Sequence, residues 1–185
     1  MKRFYMYALV ICYTLLSISC KKNNNTITDL NNVPGLPPAT QSGANTFGSL
    51  VNGVPWVPQG SNGTNNLSID YDPGFNNGIF SISAQRILSV NQTTSIGIGI
   101  RDSLNFVTPP KKYILSQNSL FGVYYHDFNG CMFGYFDSTI SKEGWLLIST
   151  YNKNSGIISG TFEATLIKNA CDTIRITKGR FDFKF

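Results

Sequence analysis

Near the C-terminus Ile174 and Ile176, then Phe181, Phe183 and Phe185, alternate with Arg175, Arg180, Asp182 and Lys184, so a strand there has one apolar and one charged face. The same period of two recurs from Thr46 onward, in short runs separated by Gly, Asn, Asp and Pro. It predicts strands over 46–51, 54–58, 66–71, 79–86, 95–101, 112–116, 120–126, 131–136, 144–151, 157–168 and 172–185, and no long helix. Short strands at this spacing make an all-β domain, an antiparallel β-sandwich or a sandwich-like barrel. Asn52-Gly53, Asn77-Gly78 and Asn129-Gly130 tolerate the positive φ angles of tight turns, and the last should join 120–126 to 131–136 as a hairpin. The final strand is expected in the middle of the core, with its charged face toward water.

Before Thr46 the alternation stops. Residues 21–45 are rich in Asn, Thr, Pro, Gly and Ser, which predicts a flexible tether without packed structure. Ahead of it, Lys2-Arg3 precedes an apolar or weakly polar run from Phe4 to Ile18 that ends at Ser19-Cys20. At roughly fifteen residues this run is short of the ~20 that span a bilayer as a helix, so it is expected to be a signal peptide and not a retained anchor. The chain therefore divides into 1–19 as a signal peptide, 20–45 as a tether and 46–185 as one all-β domain.

Leu16-Ser17-Ile18-Ser19-Cys20 resembles the lipobox of bacterial lipoproteins, in the relaxed form seen in Bacteroidota. The resemblance implies cleavage before Cys20, acylation of its thiol and attachment to a membrane. Several acyl chains on one cysteine hold far better than one, because each buried CH₂ contributes about 0.8 kcal/mol.

Export changes the reading of the cysteines. Cys12 leaves with the signal peptide and Cys20 carries lipid, so Cys131 and Cys171 remain as an even pair in an oxidising compartment, able to form a disulfide or to stay as two buried thiols. Charge adds little. The 15 basic residues less Lys2 and Arg3 leave 13 against 10 acidic ones, a formal +3, and they are scattered apart from Lys21-Lys22 and Lys111-Lys112. That is too small and too dispersed to point to nucleic acid.

Candidate chemistry is sparse. His126-Asp127 is a single pair without a nucleophile elbow elsewhere, so no catalytic triad is expected. Gly97-x-Gly99 lacks the third glycine and following helix of a dinucleotide fold, and is expected to allow close packing or a bend. Asp70-Tyr71-Asp72-Pro73-Gly74-Phe75-Asn76-Asn77 has oxygen ligands at alternate positions but no closing glutamate, and reads as a turn and not as a calcium loop. No metal or cofactor is expected. The aromatic hairpin over 120–136 offers Tyr124, Tyr125, His126 and Phe128 as candidate ligand-binding residues, because flat rings beside polar groups suit a sugar ring or an envelope protein partner. Alternation puts Phe121, Val123 and Tyr125 on one face, and Tyr124 and His126 on the other.

Three segments are also similar to those of a known group. Phe47 leading to Val51-Asn52-Gly53-Val54-Pro55-Trp56, then Ile158-Ser159-Gly160-Thr161-Phe162, and last Ile176-Thr177-Lys178-Gly179-Arg180-Phe181-Asp182, resemble uncharacterised Bacteroidota lipoproteins grouped as a domain of unknown function. The resemblance implies an outer-membrane β-sandwich-like domain attached through Cys20, and it carries no catalytic position across. The expected role is that of a non-enzymatic structural or interaction domain, with a glycan- or small-ligand-binding module as the alternative.

Overall fold

A computed structural model describes residues 32–135 and 137–185; the signal peptide, Cys20 and Phe136 lie outside them. Eleven strands run in chain order: β1 Thr46–Val51, β2 Val54–Trp56, β3 Leu67–Asp72, β4 Ile79–Ser89, β5 Gln92–Ile100, β6 Lys111–Leu115, β7 Phe121–Asp127, β8 Met132–Phe133, β9 Ser141–Asn152, β10 Ile157–Ile167 and β11 Ile174–Lys184. One 3-10 turn, Leu104–Phe106, interrupts them, and no helix among the described residues is long and apolar enough to cross a membrane.

The strands form two antiparallel sheets packed face to face. The first has the order β2-β1-β11-β10-β9-β6 and the second β3-β4-β5-β7-β8, so the architecture is an open β-sandwich and not a closed barrel. Between the sheets lie Phe80, Ile82 and Ala84 of β4, Ile96, Ile98 and Ile100 of β5, and Phe121, Val123 and Tyr125 of β7, each at every second position. They meet Phe162 of β10, Leu146 of β9 and Phe181 of β11, with the Phe80 and Phe181 ring centroids 6.1 Å apart. Trp56, on the edge strand β2, reaches across and donates its indole Nε1–H to Thr94 Oγ1 of β5 at 2.9 Å.

In β11 the inward positions change from even (Ile174, Ile176) to odd (Phe181, Phe183), which demands one extra residue. The register against β10 shifts where that change occurs, between Phe162 and Ala164. Lys178 takes φ 53°, and Gly179 leaves room for the Phe162 carbonyl, which a Cβ would approach to 2.6 Å. This is a β-bulge that keeps both halves of the strand facing the core.

The charged face of β11 departs from expectation. Arg180 and Asp182 are each only 1% exposed, because residues 37–45, expected to belong to a flexible tether, lie across them. Asp182 Oδ2 accepts hydrogen bonds from Thr40 Oγ1 (2.6 Å), the Ser42 amide (2.9 Å), Ser42 Oγ (3.3 Å) and the Ala44 amide (3.1 Å), while Oδ1 accepts from the Gly43 amide (2.8 Å). Arg180 Nη1 donates to the Pro37 carbonyl at 3.3 Å, and Thr150 Oγ1 donates to Gln41 Oε1 at 2.6 Å. The segment is a strap: it has no apolar period of its own and is held by polar groups of the finished sheet.

A disulfide, Cys131–Cys171, joins the β7–β8 connection in the second sheet to the β10–β11 connection in the first, with the Cα atoms 6.0 Å apart.

Candidate ligand cleft

The outer face of the second sheet is paved with small residues. Ser81, Gly99 and Gly122 lie in register across β4, β5 and β7, and Ser83, Gly97 and Tyr124 form the next row. Two tyrosine rings use the space the glycines leave. A Cβ on Gly97 would come within 1.9 Å of Tyr124 Cε1, and one on Gly122 within 2.7 Å of Tyr135 Cδ1. The rings meet edge to face at 5.0 Å, and Tyr124 Oη and Ser83 Oγ are hydrogen-bonded at 3.1 Å. Burial, and then the neighbouring Tyr124, push the Tyr135 phenol above its usual range, so it stays protonated.

Beside Tyr135 the paved face opens into a cleft of about 210 Å3, below the roughly 300–1,000 Å3 of drug-sized sites and suited to a single ring or a short chain. Its lining is apolar, with Ile79, Leu120 and the glycines Gly99 and Gly122 at the opening and the buried Ile100, Leu115 and Phe121 behind them. Its rim is polar and carries one cation, with Arg101, Ser116 and Gln117. The rim is braced. Ser119 Oγ accepts from the Ser116 amide (3.2 Å), Arg101 donates its amide to the Leu120 carbonyl (3.1 Å) and Nη2 to the Asn118 carbonyl (3.3 Å), and Gln117 Nε2 donates to the Ile140 carbonyl. A cleft held open this way loses little on binding to loop ordering.

The four aromatic candidates read from the sequence do not form one site. Tyr124 is on the outer face, next to Tyr135. Tyr125 points the other way into the core, 6.3 Å from Phe133. His126 stacks on Phe128 at 4.2 Å, at the tip of the sandwich. Period-two alternation forces this separation, since neighbours in a strand face opposite sides. The cleft residues Arg101, Gln117, Leu120 and Tyr135 were missed because they come from separate segments. The available signal was the glycines at outward positions of β5 and β7, which mark something packed close above them.

Carboxylates are engaged elsewhere. Asp72 Oδ1 accepts from the Gly74 (2.8 Å) and Phe75 (3.2 Å) amides, making the Asp70–Asn77 segment a self-capped turn. Asp127 Oδ1 caps the next turn through the Asn129 amide. Asp137 is held down to about 2 by the Thr139 hydroxyl, the Thr139 amide and Lys168, whose Nζ is 3.1 Å away. Among the described residues no three of His, Cys, Asp and Glu gather as metal ligands, and none of these four types lines the cleft.

Against models of known families, curated proteins and solved structures, the chain finds no match.

Proposed function

We propose that the chain is a cell-envelope lipoprotein, acylated at Cys20 and attached to the outer membrane, whose β-sandwich binds a small molecule without transforming it. The observation that carries the binding half is the braced apolar cleft beside Tyr135. Its one-ring size, apolar walls and polar rim favour a sugar or another small ligand with one polar edge. The non-enzymatic half is supported by the employment of Asp72, Asp127, Asp137 and Asp182 in turns, an ion pair and the strap, where they hold structure together. The anchor rests on the lipobox-like Leu16–Cys20 segment and on the likeness to Bacteroidota lipoproteins.

The test is a glycan and small-metabolite screen on wild type and on Leu120→Arg, which puts a long cation across the cleft from a position already at the surface. We expect ligands that bind wild type and lose affinity about tenfold or more on Leu120→Arg at an unchanged melting temperature, since one well-placed contact contributes ~1.4 kcal/mol. Ligands bound equally by both proteins would remove the cleft from the account.

A further inference from the structure

Five large apolar side chains stand in the solvent at one end of the sandwich. Val54 follows the β1–β2 turn, Leu88 and Val90 are at the β4–β5 turn, and Phe128 and Met132 flank the β7–β8 turn. The turns adjoin: Asn129 Nδ2 donates to the Asn91 carbonyl, the Phe128 amide donates to the Thr93 carbonyl (3.1 Å), and Val54, Leu88, Asn91 and Asn129 line one shallow depression. Val90 is 94% exposed in the two-residue turn Val90-Asn91. It makes no core contact that would repay this. Exposed apolar side chains gathered on adjoining turns mark an interaction surface.

The path of the strap says which surface. A Cβ on Gly35 would lie 2.9 Å from Pro55 Cβ and one on Gly48 2.8 Å from Pro37 Cδ, while one on Gly43 would lie 3.1 Å from Lys184 Cβ. The chain therefore comes in beside β2, near the β1–β2 turn, and runs to the opposite end before turning back as β1. From Cys20 to Asn32 there are twelve steps of chain, a reach of at most about 40 Å. An eleven-residue strand is itself about 36 Å long. An anchor at Cys20 thus joins the domain at the end with Val54, Leu88, Val90, Phe128 and Met132, and the end with Phe75 and Phe106 reaches the bilayer only when the tether is drawn nearly straight.

We propose that this end docks into the lipid surface, with the apolar turn tips entering the interface between headgroups and acyl chains. The proposal rests on the reading of Cys20 as the anchor. Charge is not what holds it, since Lys168, Arg86 and Arg175 at this end are matched by Asp137, Asp127 and Asp172. Burial of apolar side chains supplies the attraction, so docking should depend weakly on salt.

The experiment uses the full mature chain, acylated and as Cys20→Ala, with vesicles of phosphatidylethanolamine and phosphatidylglycerol whose acyl chains are plain or brominated. Val90→Trp and Phe106→Trp each add one reporter at an exposed position, above the emission of wild type. We expect the added emission of Val90→Trp to shift to the blue and to fall about twofold or more with brominated lipid, and that of Phe106→Trp to stay unchanged. Equal quenching of Phe106→Trp, or an unaltered Val90→Trp, overturns the proposal. So does a Val90→Trp shift that follows protein concentration without vesicles, which would give the surface to a second copy. Flotation reads the anchor separately. A chain that floats with an unquenched Val90→Trp refutes docking and keeps the anchor; one that fails to float alone, yet shows Val90→Trp quenched at vesicle excess, refutes the anchor and keeps docking.

Discussion

Asp182 receives five hydrogen bonds from residues 138 to 142 positions earlier in the chain. Burial alone would raise its pKa, but the bonds from Thr40, Ser42, Gly43 and Ala44 outweigh it and hold the carboxyl below its usual value. Because the folded value is the lower one, the resulting stability is fully present above the unfolded value near 4 and is lost as pH falls through the folded value. Urea melts should show a plateau above about pH 5 and a decline below about pH 4. Asp182→Asn sets an amide donor against backbone donors, and should cost about 2–4 kcal/mol at pH 7 while flattening that decline. A melt with unchanged acid dependence would show that the strap is held by something else.

Among elements, β11 lies between β1 and β10 in the larger sheet, with partners along both edges. Deleting residues 180–185 removes Phe181 and Phe183 from the core together with the seat of the strap, and should abolish the β-sheet circular dichroism of the product; a normal melting curve would count against this arrangement. A mature chain starting at Asn45 should still fold but lose about 3 kcal/mol or more, since Arg180 and Asp182 would lose bonds to the strap. All eleven strands were legible from period two, because an alternating face is a local signal. β8 came out at two residues against the six expected over 131–136, since the chain leaves the sheet so that Tyr135 can lie over Gly97 and Gly122. The strap was illegible for a physical reason: Thr40, Gln41 and Ser42 look like linker residues, and what orders them is a carboxylate far along the sequence. The cleft was hidden likewise, being assembled from the ends of β4 and β5, the 115–121 stretch and Tyr135.

At the scale of the molecule, two sheets share one core and are stapled by Cys131–Cys171 near the turns that carry Phe128 and Met132. The two cysteines are 40 positions apart in sequence, so reduction should lower stability by roughly 3–4 kcal/mol through the freedom returned to the unfolded chain. Equal denaturation midpoints with and without reductant would show that the core suffices alone. The cleft lies where the ends of β4, β5 and β7 meet the β6–β7 connection, and none of the strap residues 37–45 lines it, so a ligand and the strap do not compete for the same surface. Everything proposed about location follows from Cys20. The most direct measurement is detergent phase partitioning of the full-length product made in its own host, beside Cys20→Ala. The account predicts wild type in the detergent phase and Cys20→Ala in the aqueous phase; wild type found wholly in water would contradict it.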